Sequence, residues 1–417
     1  MRTVKLLGCI ALIVCGLGTS SAAATEFEGG LYPVEIVGEE TGNHVFTVDG
    51  GAITCADASF TGGFEEATET VVVDPVFSKC TALGFAEATA KVEGCQFKFY
   101  AGEELEEEGD YKGTADLLCP AGKAMVFTAG TCEVQIGAQT GLGTLQYDEN
   151  PAAEPPNITV EANLSKIKYN KTKDGFLCPL AGTGVKEDGT YVGNTLVGGS
   201  TYDIETEESE EVGVAINQAG NTKLCKKAPV NKACPANEEW AASTPFEASA
   251  DAKVQGPVKL TISEGGKFPA SKNVVTCKKS LVKATSEAAL GTPSLPMKDV
   301  EITFTVTECE TTKKNGCNVV SMTNAPAKGY VRSTGMSPGN GYLYTPFTLS
   351  IACGGEFSCE YSSNNYPMHI TGASSAGLEH HGAQLAVTKA GEPGCYDHLS
   401  LRGKYAVTKP QSLWVTE

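Results

Sequence analysis

Tryptophan occurs twice in this 417-residue chain, at Trp240 and Trp414, and histidine five times. Rings for a sugar-stacking platform are therefore scarce. The chain has no C-x-x-C, no zinc-type Cys/His spacing, no H-E-x-x-H and no glycine loop built to cradle a phosphate. Those gaps remove the spacings through which metal, metalloprotease and nucleotide chemistry are usually read. Positive charge is short as well: 32 Lys and Arg face 50 Asp and Glu, for a net charge of −18. Without a basic patch, nucleic acid and anionic lipid are disfavoured as partners, because both are held through phosphate. No segment past residue 24 approaches the ~20 apolar residues of a membrane-spanning helix. None carries a 3.6-residue apolar stripe either.

What is present starts at the first residue. "MRTVKLLGCIALIVCGLGTSSAAATEF" places Arg2 and Lys5 ahead of an apolar run, Leu6 to Leu17, and ends in Ala22-Ala23-Ala24. This is the pattern of a secretory signal peptide over residues 1–24, cleaved before Thr25. The run is too short to span a bilayer. For a lipidated cysteine, Cys9 comes too early and Val14 before Cys15 is too bulky. The loss of Arg2 and Lys5 takes the charge from −18 down by two, to −20. The chain is expected outside the cell, free or at the cell envelope.

Alternation with a period of two marks half-buried antiparallel strands. "DVEITFTV" puts Val300, Ile302, Phe304 and Val306 on one face. "NITVEANL" does so with Ile158, Val160, Ala162 and Leu164, and "CEVQI" with Cys132, Val134 and Ile136. Turn signals such as Asp49-Gly50-Gly51 and Ala129-Gly130-Thr131 separate such runs at hairpin spacing. An all-β fold is expected.

Sixteen cysteines become fourteen once Cys9 and Cys15 leave with the signal. An even number in an exported chain reads as a disulfide framework. Six lie in the first half (Cys55, Cys80, Cys95, Cys119, Cys132, Cys178) and six in the second (Cys277, Cys309, Cys317, Cys353, Cys359, Cys395). Their contexts match in order. "AITC" answers "VVTC", "GC" recurs at Gly94-Cys95 and Gly316-Cys317, and "CE" recurs at Cys132 and Cys359. After the sixth cysteine, Gly189 to Tyr191 answers Gly403 to Tyr405. The pattern reads as a divergent duplication. Cys225 and Cys234 remain, in "LCKKAPVNKAC" between the halves.

The division expected is a first β module at 25–204, an acidic clipped connector at 205–245 and a second β module at 246–417. The modules would be tandem, disulfide-stapled and antiparallel, sandwich-like or barrel-like. Six cysteines allow 15 pairings per module. The arrangement expected is Cys80–Cys95, Cys119–Cys132, Cys309–Cys317 and Cys353–Cys359 as short loops. Cys55–Cys178 and Cys277–Cys395 would be the outer ties, and Cys225–Cys234 the clip.

Candidate chemistry is thin. "GMSPG" at Gly335 to Gly339 fits G-x-S-x-G, with Asp397 and His398 downstream of Ser337. Yet that elbow needs a strand before the serine and a helix after it, and Pro338 follows directly. The acidic runs Glu103 to Asp110 and Glu205 to Gly213 lack the interleaved carbonyls and sharp turn of a calcium loop. They read as solvated loops. N-x-S/T triplets stand at Asn157, Asn163 and Asn170. Tyr342, Tyr344, Tyr361 and Tyr366 could form a sugar platform, but core packing is the simpler reading. "GLEHHGAQL" carries His380 and His381, with His369 before it and His398 after it. On an extended strand, His380 and His381 point to opposite faces. A metal site therefore requires His369 and His398 to converge on one of them.

The doubled pattern, with "CPAGKAMVFTAGTCEVQI", "NITVEANLSKI" and a Cys-led final hairpin, resembles secreted, cysteine-containing, two-module β proteins of soil actinobacteria. The resemblance spans most of the chain past residue 24. Its motifs are structural, so it implies no activity and carries over no catalytic, cofactor or metal residue. The expected role is non-catalytic: an exported protein that binds an extracellular ligand or a cell-envelope component, or is structural there. The alternatives are a secreted hydrolase of polysaccharide or ester substrates, and an extracellular metal binder using the C-terminal histidines.

Overall fold

The computed structural model describes residues 25–107, 109–174, 184–203, 208–218, 222–263, 272–287, 294–304, 309–311, 326–334, 336, 339–353, 357–388 and 396–416. Every regular element among them is a strand, and every pairing is antiparallel. The first half contains β1 (Thr25–Gly29), β2 (Val34–Glu40), β3 (His44–Val48), β4 (Gly51–Phe64) and β5 (Thr70–Ala82). It continues with β6 (Ala86–Lys91), β7 (Gln96–Glu104), β8 (Asp110–Leu118), β9 (Met125–Ala129) and β10 (Cys132–Ile136). The long strands β11 (Gln139–Asn150), β12 (Asn157–Asp174) and β13 (Gly184–Asp203) follow.

These strands close on themselves. The pairings run β2–β4–β5–β7–β8–β11–β12–β13 and back to β2, a ring of eight. β3 continues the wall between β4 and β13, and β6, β9 and β10 continue it between β5 and β12. Closure leaves those eight strands no free edge.

The segment expected to be a simple connector contributes strands of its own. β14 (Glu208–Val212) extends the sheet beside β13, and β15 (Val214–Gln218) pairs with β1. β16 (Lys223–Cys225) pairs with the final strand, β28 (Trp414–Thr416).

The second half holds β17 (Pro245–Asp251), β18 (Val258–Ser263), β19 (Lys272–Cys277), β20 (Lys279–Ser286), β21 (Leu295–Phe304) and β22 (Cys309–Thr311). After them come β23 (Ala327–Ser333), β24 (Gly341–Cys353), β25 (Phe357–Thr371), β26 (Gly377–Val387) and β27 (His398–Lys409). Again eight strands form a barrel: β17–β20–β21–β23–β24–β25–β26–β27, closed by β17 against β27. β18, β19 and β22 extend it from β27. The alternation read from sequence is the alternation of burial. Cys132, Val134 and Ile136 point inward on β10, and Val300, Ile302 and Phe304 on β21.

Among the described residues, ten cysteines are disulfide-bonded. Cys225–Cys234 forms as expected. The other pairings are set by register rather than by short loops. Cys55 stands directly opposite Cys80 across β4 and β5, with Cα atoms 3.9 Å apart. Cys277 faces Cys309 across β19 and β22 at 4.0 Å. Cys95 and Cys119 flank the Gln96–Leu118 pair at one end of the β7–β8 hairpin, 4.1 Å apart. These bridges replace the expected Cys55–Cys178, Cys80–Cys95, Cys119–Cys132, Cys277–Cys395 and Cys309–Cys317. A residue already opposite its partner in a ladder meets the ~4–7 Å Cα spacing of a bridge without bending the chain. Cys132 and Cys359 are also bonded. Cys178, Cys317 and Cys395, and the side chain of Cys353 on which the expected Cys353–Cys359 bridge rests, lie outside the described residues.

The two barrels touch. Tyr342 donates a hydrogen bond to the Gly30 carbonyl at 2.9 Å, and its ring packs 4.8 Å from Tyr32. Arg332, on β23, forms ion pairs with Glu26 and Glu28 on β1. Asn365 donates to Tyr330 and to Glu66.

Candidate binding site

The interior of the first barrel is incompletely filled. A cavity of about 60 Å³ lies within it. Its walls are inward positions of the ring: Val71 and Val73 of β5, Phe97 and Phe99 of β7, Ile158, Val160, Ala162 and Leu164 of β12. The period-two alternation of β12 is what lines up those last four on one face. An eight-stranded barrel is just wide enough to be filled by side chains or to hold one small ligand.

One end is covered by the β1–β15 pair, which brings Phe27, Glu28, Val214 and Ala215 over the opening. This cover is fastened to the barrel. Phe27 and Thr68 exchange backbone hydrogen bonds at 2.7 and 3.1 Å, and Val214 N–H donates to the Pro156 carbonyl at 3.0 Å. The Phe27 ring meets Tyr147 edge-on at 5.5 Å. The other end is closed by aromatic packing of Phe46, Phe77, Phe127 and Tyr191. Buried His44 joins them, its Nδ1 2.6 Å from the Tyr191 hydroxyl. Gly193 makes room for that histidine, because a Cβ there would collide with the His44 ring.

The tyrosine hydroxyls and the carboxylate at the cavity are already engaged. Tyr147 donates to the Tyr100 carbonyl at 3.1 Å, and burial raises its pKa. Tyr191 is bonded to His44, and burial raises its pKa too. Glu28, the one ionisable carboxylate in the lining, is ion-paired with Arg332 of the second barrel at 3.5 Å. The side chains of Glu28 and Arg332 are 3% and 13% exposed, so neither charge is left to solvent alone. Beside the cover, Glu149 accepts a hydrogen bond from the Ile216 N–H of β15. Burial pushes its carboxyl up to about 7, with Lys232 opposing.

A wider recess of about 240 Å³ opens on the outer wall at Tyr100, Gly102, Glu103 and Lys112. It arises where the β7–β8 register shifts between Ala101 and Glu104. Its charged groups, Glu103 and Lys112, are 3.7 Å apart and exposed.

The histidines fall where alternation sends them. β26 runs through both His380 and His381. His380 is buried inside the second barrel, 3.2 Å from the Tyr405 hydroxyl, which in turn donates to Ser280 at 3.0 Å. Burial lowers its pKa to about 3. His381 faces the other way, 3.3 Å from Glu379, and its ring lies 5.6 Å from that of His369. Burial, with His381 beside it, lowers the pKa of His369 to about 4. His398 pairs with Ala386 and Ser263, well along the sheet from Arg402, the partner of His381. Among the described residues no group of three or more His, Cys, Asp or Glu could hold a metal ion.

The remaining sequence candidates do not assemble a site. Ser337 and residues 205–207 lie outside the described residues. Tyr342, Tyr344, Tyr361 and Tyr366 are each 3% exposed or less, so they offer no stacking face to a sugar. Sequence reading missed Glu28, Arg332 and Glu149. Only Glu149, an acid within an alternating strand, left any trace. No family model, curated protein or solved structure matches the chain.

Proposed function

We propose that this is an exported, non-catalytic binding protein, and that the interior of its first barrel is the binding element. The observation that carries the reading is the apolar cavity, enclosed by a closed sheet and covered by β1 and β15. Its one carboxylate, Glu28, is ion-paired with Arg332, which it shares with Glu26. A glycosidase works with two carboxylates facing each other across the substrate, and the cavity lining supplies one. Export is supported by the leader-like residues 1–24 and by disulfides in both barrels, which require an oxidising compartment. Duplication is supported by two rings of the same chain order. The first two cysteines of each half are bridged, Cys55–Cys80 and Cys277–Cys309. The likeness to secreted two-module β proteins of soil actinobacteria is part of the same reading.

The test is calorimetric titration of the protein, oxidised and without its leader, against apolar small molecules, glycans and cell-wall fractions, with hydrolysis assays on the same panel. Saturable one-to-one binding without product formation is the expected result. Turnover of any ester or glycan would overturn it.

A further inference from the structure

We infer that the second barrel binds one water molecule as a fixed part of its core, bridging the Tyr366 hydroxyl and Nδ1 of His380. The inference is independent of the binding reading. It rests on a run of hydrogen bonds whose directions can be worked out from one end. The Thr303 carbonyl can only accept, so the one hydroxyl hydrogen of Ser280 is placed there, at 3.0 Å. Ser280 Oγ therefore accepts from Tyr405, also at 3.0 Å, and that bond uses the only hydrogen of the Tyr405 hydroxyl. His380 Nε2, 3.2 Å from the Tyr405 oxygen, must then be the donor. Burial keeps His380 neutral at pH 7, with its pKa lowered to about 3. A neutral imidazole has one N–H, and here it is on Nε2. Nδ1 is left as a bare acceptor.

The complementary donor stands next to it. Tyr366 on β25 packs its ring 5.4 Å from that of His380 on the neighbouring β26. Burial raises the Tyr366 pKa and Tyr405 adds to the rise, so both hydroxyls lie in the same part of the core. Tyr366 is 0% exposed and His380 2%. Among the described residues, neither the Tyr366 hydroxyl nor His380 Nδ1 has a hydrogen-bond partner. A buried donor and a buried acceptor thus lie close together without bonding to each other. Polar atoms in protein interiors are nearly always paired, because an unpaired one keeps its full desolvation cost. Water meets both needs at once, accepting from Tyr366 and donating to Nδ1, and two polar partners are enough to hold it. The completed path crosses the barrel from β25 through β26 and β27 to β20 and β21. A fully satisfied network of this kind specifies one arrangement of the core.

The experiment is nitrogen NMR of the oxidised protein, labelled at histidine, at pH 7. His380 should carry its proton on Nε2, and its Nδ1 resonance should be displaced from that of an unbonded ring nitrogen. The Tyr366 hydroxyl proton should show a cross-peak to a long-lived water, and a high-resolution crystal structure should place a water between the two groups. Tyr366→Phe should remove the cross-peak and move the Nδ1 resonance. Tyr361→Phe, on the same strand but bonded to the Tyr396 carbonyl, should leave both unchanged. The crystal structure and the wild-type spectrum decide the matter if Tyr366→Phe does not fold.

A proton on Nδ1, a direct Tyr366–His380 bond with no water, or an unbonded Nδ1 overturns the inference. So does an equal response to Tyr361→Phe, which would show a general loosening of the core.

Discussion

Inside the second barrel Phe347, Tyr361, Tyr366 and Tyr405 are each 2% exposed or less, and a hydrogen-bonded path runs from His380 through Tyr405 to Ser280. The first barrel has the same strand count and order, yet it leaves about 60 Å³ between Phe99, Val160 and the β1–β15 cover. The difference lies in the inward residues. β12 presents Ile158, Val160, Ala162 and Leu164, whereas β25 presents Tyr361, Tyr366 and Met368. The same eight-strand ring thus holds a filled core in one barrel and leaves a cavity in the other. Both barrels keep a buried His–Tyr pair, but on different strands. His44 of β3 meets Tyr191, and His380 of β26 meets Tyr405. Tyr191 and Tyr405 occupy matching places after "GT" and "GK".

Truncation of a core aromatic should separate the two barrels most. Phe347→Ala removes a ring from a filled interior and should cost about 3–5 kcal/mol. Phe99→Ala, whose ring already borders empty space, should cost about 1–2 kcal/mol, since less packing is lost. Urea unfolding measures both. Trp240 packs against the second core and serves as its reporter. Equal losses would mean that the cavity does not weaken packing around Phe99.

The disulfides should instead erase the contrast. Cys55–Cys80 and Cys277–Cys309 close 25 and 32 residues. The chain-entropy model then gives each about 3.5 kcal/mol. Paired Cys→Ser variants in each barrel should lower the urea midpoint by similar amounts. A loss confined to one barrel would break the parallel.

Proton linkage should sharpen it again. The folded pKa of Glu149, about 7, lies above its ordinary 4.5. Between those values the folded state holds a proton that the unfolded state has released. Stability therefore falls as pH rises from about 4.5 to 7, by roughly 1–3 kcal/mol. Glu149→Gln should flatten that slope. His380 works in the opposite direction. Its folded pKa of about 3 lies below 6.5, so the unfolded state binds the extra proton and stability falls as pH drops below 6.5. Burial lowers His44 in the same direction. Both barrels should weaken in acid, and the first alone should also weaken towards neutrality. Melting temperatures from pH 4 to 8 read this directly.

Some of this contrast could be read in the sequence. The strands could be, because half-buried antiparallel strands alternate, and Val134, Ile136, Val300 and Ile302 point where alternation sends them. The opposite facings of His380 and His381 follow from the same period. The disulfides could not. Sequence separation favoured short loops, while pairing across β4 and β5 placed Cys80 opposite Cys55. The cavity was also out of reach. It depends on eight inward faces meeting around a ring, and on β15, from the expected connector, pairing with β1. Glu28 and Arg332 are 304 positions apart in the chain and meet only because the barrels do.

The smallest expected effect is also the most direct measure of the difference. Ala162→Leu on β12 adds three carbons towards empty space, where they remove apolar surface from water without displacing a neighbour. A gain of about 1 kcal/mol is expected. Ala248→Leu on β17 makes the same change where the alanine is 0% exposed inside the filled barrel. There the extra carbons must push other side chains off their rotamers, at a cost of about 1–3 kcal/mol. The chemistry is identical in the two variants, so the sign of the change in urea midpoint depends on the space available. Opposite signs are expected. If both substitutions destabilise, the first barrel has no room for the added carbons, and its interior is packed as tightly as the second.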